Sequence, residues 1–362
     1  MLRLTYQIPI FLLAGYLLLI GNSASSQAAD PAAIALHNRW VTHLLYSPDG
    51  NTLVSVGGEG LPYRPGDVKL WDPKTGAATG SLDGSTSNVW SAAFTTDGSK
   101  LVTSGYDGKI VIWNVAERKP ITTIDKRKGW CRAIAITPDN KTIVAAGEDG
   151  NIGLWAIDTG MEVKNFKAHE AAIYDLAFSP DGATLATCSV DKLAKLWDFN
   201  AGTEKAKLEG HGDAVWAITY SKDGSMLATC GADRKVKIWD AAGKEQATLE
   251  GHKDWVSNLA FSPDNALIAT TSHDRSAKLW DVKEKKEVAS MGGFTSTVWA
   301  AAFSPDGKQL AIGSHKDGVR IFDVASKNEL FPRPAEKKPE SAPEKKPEAA
   351  AEKKPEAPAE KK

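Results

Sequence analysis

A chain of 362 residues exceeds one small domain and suffices for one large β fold or for two domains. Its 44 Lys and Arg against 45 Asp and Glu leave a formal charge of −1, which excludes the strongly basic footprint of a nucleic-acid binder. Glycine (31) and proline (18) promise frequent turns, and 12 tryptophans are too many to pass without a role.

The first 28 residues have the order of a secretory signal peptide. Arg3 precedes an uncharged apolar run, Ile8 to Gly21, and then a small polar stretch ending in Ser26-Gln27-Ala28. Cleavage is expected after Ala28, or else after Ala29. The apolar run falls short of the roughly 20 residues that span a bilayer, although an uncleaved N-terminal anchor is the alternative. No Cys follows it, so lipidation is not expected. The mature protein is expected to be periplasmic or secreted, monomeric and without a stable membrane span.

From residue 29 to 331 the chain repeats. Aligned on one position, Trp71, Trp113, Trp155, Trp197, Trp239, Trp280 and Phe322 follow one another at steps of 42, 42, 42, 42, 41 and 42. That period is one four-stranded propeller blade, so seven marks mean seven blades. Within a unit, short β-favouring runs alternate with Pro, Asp, Gly and Asn turns, which are hairpin signals. The first-turn aspartates 49, 97, 139, 181, 223, 264 and 306 recur with the same period. Unit 1 carries six extra residues in its second turn, within Gly57 to Gly66.

Residues 332–362 form a second non-globular piece. Glu336, Glu344, Glu352 and Glu360 mark an eight-residue repeat of Lys, Glu, Pro and Ala with no large apolar side chain. Nothing there offsets the entropy of ordering, and each Pro interrupts a helix, so a solvated, disordered tail is expected. It serves either as an inert spacer or as an envelope tether. Leader and tail together look like those of exported bacterial proteins.

Trp-Asp at 71–72, 197–198, 239–240 and 280–281, with Gly-His at 210–211 and 251–252, resembles the WD-repeat family over about Ala32 to Phe331. The resemblance implies an all-β fold, a seven-bladed β-propeller of four-stranded antiparallel blades. It also implies a hydrogen-bond relay of His, Ser/Thr, Asp and Trp within a blade. Unit 4 supplies His169, Ser189, Asp191 and Trp197; unit 6 supplies His252, Ser272, Asp274 and Trp280. Unit 5 has His211, Asp233 and Trp239 but Gly231 where the hydroxyl is expected, and unit 7 has Lys316 and Phe322 for Asp and Trp.

A ring of blades needs its last blade completed. Ala32 to Val41 aligns with Ala247 to Val256, so Ala32 to His37 is expected to be an outer fourth strand of blade 7, beside Val319 to Phe322. Asn328 to Phe331 is the alternative source of that strand.

The remaining tryptophans fall in first strands. One position reads Thr42, Trp90, Arg132, Tyr174, Trp216, Ser257 and Trp299; two residues earlier it reads Trp40, Asn88, Trp130, Ala172, Ala214, Trp255 and Thr297. The residue between is always Val, Ile or Cys. Side chains alternate along a strand, so the middle set is core and the flanking sets face away from it. By family resemblance they ring the channel mouth on the face that commonly binds partners. Trp, Tyr and Arg dominate binding hot spots. Candidate partner-binding residues are therefore Trp90, Arg132, Tyr174, Trp216 and Trp299, then Trp40, Trp130 and Trp255, with Tyr63 and Arg64 of the inserted turn. Interblade packing of these rings is the alternative.

No metal-ligand spacing, phosphate loop or nucleophile elbow is present, and the many aspartates recur at turns. Cys131, Cys188 and Cys230 are expected to be small buried side chains rather than disulfide partners. The mouth is expected to lack carboxylates. The sequence therefore points to a non-catalytic scaffold for a protein or peptide, without cofactor or metal and with no nucleic-acid partner. The rival is a propeller acting on a small ligand in the channel, as a hydrolase or lactonase does.

Overall fold

A computed structural model describes residues 39–59, 64–125 and 129–331. They form the seven blades of a β-propeller, each an antiparallel sheet with its strands in chain order. Six sheets have four strands; the seventh, Val298–Phe303, Gln309–Ser314 and Val319–Asp323, has three among the described residues. The first strand of each blade lines the channel, and the second and third are almost wholly buried. The fourth, such as Glu162–Lys167, is exposed along almost its whole length.

The core lies between blades rather than within them. Trp113 of blade 2 packs with Val54, Val56, Leu70 and Leu82 of blade 1, and Trp155 of blade 3 packs with Ile110 and Ile112 of blade 2. The period of 42 is thus a packing period: each repeat-marking ring fills the gap to the blade before it. Cys131, Cys188 and Cys230 are buried and unbridged.

On the face where first strands end, each blade makes the same tight turn. In blade 1 the Ser47 hydroxyl donates to Asp49 Oδ1 (2.6 Å), which also accepts the Asn51 N–H (3.0 Å). These bonds hold the Asp49 carboxyl low, at about 2. The fourth turn residue has positive φ: Gly50, Gly98, Gly182, Gly224 and Gly307, but Asn140 and Asn265 in blades 3 and 6. The five glycines rest on the turn prolines of the preceding blades. A Cβ at Gly182 would stand 3.0 Å from Pro138, and one at Gly50 would stand 3.4 Å from Pro305. The two asparagines instead follow blades whose turns carry Thr96 and Lys222 in place of Pro. Unlike proline, those residues present a backbone N–H. Asn140 Oδ1 accepts it from Thr96 (2.8 Å) and Asn265 Oδ1 accepts it from Lys222 (2.7 Å).

All seven junctions obey this pairing, Pro with Gly and a free N–H with Asn. Asn140→Gly is therefore expected to cost about 0.5–1 kcal/mol. Adding Thr96→Pro should recover most of it, which a double-mutant cycle of urea midpoints will read.

Among the described residues blade 7 has no full fourth strand. Ala32 to His37, the predicted latch, lies outside the described residues. On the outer edge of Val319–Asp323 the chain places Asn328 to Leu330, the alternative segment. Leu330 N–H donates to Ile321 O (2.8 Å) and Asp323 N–H to Asn328 O (2.9 Å). Phe322 and Glu329 form a single antiparallel bridge. Phe331 then covers Gly76 of blade 1, where a Cβ would come within 2.8 Å of its ring. Gln309 Nε2 donates to Pro73 O (3.0 Å), a second tie between blades 7 and 1.

The relay differs from the sequence expectation in one member. In blade 4 the bridging hydroxyl is Thr187, not Ser189. Trp197 Nε1–H donates to Thr187 Oγ1 (2.9 Å), which lies 2.8 Å from His169 Nε2, while His169 Nδ1 meets Asp191 (2.9 Å). Blade 6 repeats this with Thr270 in place of Ser272, joining His252 and Trp280 beside Asp274. The serines sit at strand ends and serve the next turn: Ser189 Oγ accepts the Asp191 N–H (3.1 Å) and Ser272 Oγ accepts that of Asp274 (3.0 Å). Blade 5 is therefore complete despite Gly231, since Thr229 joins His211 to Trp239. Blade 7 replaces the relay by a stack in which the Arg320 guanidinium lies over Phe294 (4.4 Å) and Phe322 (5.1 Å).

Candidate interaction site at the channel mouth

One irregularity builds the site. In all seven first strands the pairing with the second strand slips by one residue near the start, a β-bulge. The extra residues are Thr42, Trp90, Arg132, Tyr174, Trp216, Ser257 and Trp299. A bulge re-aims the side chain it inserts. Here it delivers one side chain per blade to the mouth, where five are large.

Those five converge. Tyr174 stacks on Trp216 (ring centroids 5.6 Å), Trp216 on Trp299 (5.9 Å), and Trp299 on Trp40 (6.5 Å). Ser257 is small between Trp216 and Trp299, which lets rings two blades apart meet. Trp130 meets Tyr174 edge-on (5.7 Å) and Trp255 tilts against Trp216 (5.1 Å). Arg132 lies over Trp90 (4.2 Å), Tyr174 (4.9 Å) and Trp299 (5.9 Å). All seven aromatic side chains from Trp40 to Trp299 in this set form one connected cluster, in which Trp90, Tyr174 and Trp299 touch Arg132. Seven are half-buried with Arg132 counted, and Trp255 is 42% exposed. Arg64 is exposed, with a guanidinium nitrogen 3.9 Å from Glu59, and takes no part in the stack; Tyr63 lies outside the described residues.

Sequence reasoning missed a third ring at this mouth. The residue just before each relay-position turn residue reads Tyr106, Glu148, Val190, Ala232, His273 and His315 in blades 2 to 7. His273 stands among Trp216 (5.4 Å), Trp255 (5.3 Å) and Trp299 (4.6 Å), and its Nε2 has no partner. His315 meets Trp40 at 4.2 Å. Burial lowers both imidazoles, His315 to about 4 with help from Lys316. Tyr106 (40%) and Val190 (38%) complete an exposed apolar rim with Trp255. The signal for this ring was its constant place in the repeat.

The expectation of a mouth without carboxylates is corrected. Strict alternation turns the residue after the bulge position into the core, but the bulge turns it toward the channel. That position holds His43, Asp175 and Asn258 in blades 1, 4 and 6. Each caps an N–H on the exposed inner edge of the next blade: His43 Nδ1 accepts from Ala92 (3.3 Å), Asp175 Oδ2 from Ile218 (3.1 Å), and Asn258 Oδ1 from Ala301 (3.3 Å). Asp175 Oδ1 also accepts the Leu176 N–H (2.8 Å). Burial pushes the Asp175 carboxyl up to about 7 against these bonds and the Arg132 charge. Burial, then Arg132, lowers His43 to about 4.

These three groups stand at a cavity of about 620 Å³ in the channel, whose remaining walls mix apolar residues such as Leu45, Ile134, Phe261 and Phe303 with polar ones such as Ser91 and Thr219. Among the described residues no three His, Cys, Asp or Glu converge as metal ligands, and no helix is long and apolar enough to cross a membrane.

Comparison with known proteins places these features. A family model for the first beta-propeller of IFT122 matches residues 191–341. A model for the second beta-propeller of echinoderm microtubule-associated protein matches residues 89–250, and one for the WD domain, G-beta repeat, matches residues 33–72. WD repeat-containing protein 1 of Xenopus tropicalis is 32% identical over 93 residues, 25% of this chain. The match covers only 14% of that relative's length.

Proposed function

Since the chain is a WD-repeat β-propeller, and such propellers generally bind proteins, we propose that it is an exported, non-catalytic scaffold. It takes a protein or peptide segment on the aromatic mouth of its channel. The observation that carries this reading is the bulge in every first strand, which spends the irregularity of seven blades on one contiguous aromatic surface. Trp255, Tyr106 and Val190 give that surface an exposed rim. An exposed apolar patch of this kind marks interaction sites. The leader-like N-terminus supports export.

A small-ligand or hydrolytic role has the channel cavity in its favour, with Asp175 and His43 at its wall. Both Asp175 oxygens and His43 Nδ1 are already spent on backbone N–H groups. These residues hold blades together, which favours the scaffold.

The test is capture from envelope extract on the mature protein, against Trp255→Ala and Trp216→Ala/Trp255→Ala variants whose melting temperatures are recorded alongside. A protein retained by the wild type and lost from both variants supports the mouth as the binding face. Identical capture by all three overturns it.

A further inference from the structure

Arg132 is the feature of the mouth with unspent chemistry. Its guanidinium faces are taken by Trp90 and Tyr174, at 4.2 and 4.9 Å. Stacking of this kind fixes the plane of the group and leaves the N–H edges free. Among the described residues no carboxylate or carbonyl oxygen lies within bonding distance of those edges. Other arginines of the described chain behave differently: Arg320 is stacked on Phe294 and also paired with Glu329, and Arg39 meets Glu59 (3.1 Å).

The carboxylates at the rim turn elsewhere: Glu148 accepts the Trp130 N–H (3.4 Å) and Asp254 the Trp255 N–H (2.8 Å), and neither is paired with Arg132. Asp175, the nearest carboxyl to act on Arg132, has each oxygen on a backbone N–H and is held up near 7 by burial. His273 and His315 are neutral at neutral pH.

Resting on the scaffold reading above, we propose that the partner segment presents a carboxylate, an Asp or Glu side chain flanked by apolar residues, to the free edge of Arg132. A planar guanidinium matches a carboxylate with two parallel hydrogen bonds. The partner's apolar neighbours lie on Trp255 and the Tyr106–Val190 rim. A cationic or purely apolar segment leaves the caged arginine unpaired in a half-buried site and is disfavoured.

The experiment is selection of phage-displayed random heptapeptides on the folded full chain, in parallel with Arg132→Gln, Arg132→Lys and Trp255→Ala. Clones from the wild type are expected to be enriched in Asp or Glu next to Leu, Phe or Trp. Synthetic peptides from them should lose at least tenfold in affinity when the acid becomes Gln. On Arg132→Gln the acidic enrichment should vanish while apolar residues persist; Arg132→Lys, which keeps the charge but not the fork, should recover part of it.

Wild-type clones without acidic enrichment, or an enrichment that survives Arg132→Gln, overturn the carboxylate. If such clones still fail on Trp255→Ala, the mouth remains a binding face and only its chemistry is misread. If no peptide is selected by any variant, both readings fall.

Discussion

Asp175→Asn is expected to remove from the propeller's stability a contribution that fades between about pH 4 and pH 7. The folded carboxyl is pushed up to about 7 by burial, above the unfolded value near 3.9. A raised pKa means that the folded state holds the proton over this interval and the unfolded state does not. Stability from this group is full below about pH 4, is lost as pH rises through 7, and stays flat above that. The slope is about 1.4 kcal/mol per pH unit, so this group's contribution should fall by on the order of 2–4 kcal/mol.

The Asn variant has no proton to release. Asn258 already performs the same N–H capping in blade 6, so the amide fits the task. Urea unfolding at pH 4.5 and pH 8 reads the difference: near equality at the lower pH, and a more stable variant at the higher. Equal stability of the two proteins at both values would show that Asp175 stays ionised in the fold. The turn aspartates, and His43 and His315 with their lowered imidazoles, are common to both proteins and cancel in the difference between them.

Thr187→Val should cost about 2–4 kcal/mol, and Thr229→Val should cost as much. The relay has one consistent polarity. Asp191 accepts from His169 Nδ1–H, so Nε2 must accept from the Thr187 hydroxyl, whose oxygen accepts the Trp197 indole N–H. Removing the hydroxyl strands a buried donor and a buried acceptor at once, each costing about 1–3 kcal/mol.

Ser189→Ala removes the bond from the Asp191 N–H and a long one to Ala171 O (3.4 Å), and should cost about 1 kcal/mol. Guanidinium unfolding separates the cases. A large loss for Ser189→Ala with a small one for Thr187→Val would restore the serine to the relay. Thr229→Val is the sharper comparison, because blade 5 has glycine where blade 4 has Ser189.

Much of this was legible in the residues alone. The 42-residue period reports Trp rings filling interblade gaps, and a packing distance repeated seven times leaves a mark in any sequence. The set from Thr42 to Trp299 was found the same way. The bulge that aims it was not, because an inserted residue keeps the strand's composition and shows only in its pairing. Strict alternation therefore sent His43, Asp175 and Asn258 to the core. The serine error has the same origin: Thr187 and Ser189 share a face, and only the tilt of the indole decides which hydroxyl it reaches. The interblade turn pairs also leave a mark, Thr96 with Asn140 and Lys222 with Asn265 replacing Pro and Gly together, but the contact that couples them shows only in the fold.

Those turn pairs also bear on how such a gene lengthens or shortens. Blades 1, 4 and 7 offer glycine to the blade before and proline to the blade after, so a copy of any of them fits between neighbours of its kind. Blades 2 and 3 are different, as are 5 and 6: the first of each couple exposes an N–H that only the asparagine of the second satisfies. Unequal crossing-over that splits a couple forfeits that bond and leaves the N–H to solvent. One that copies or removes a couple whole restores proline against glycine at the new seam. The ring is therefore written in seven repeats but matches at its seams as five parts, three single blades and two couples.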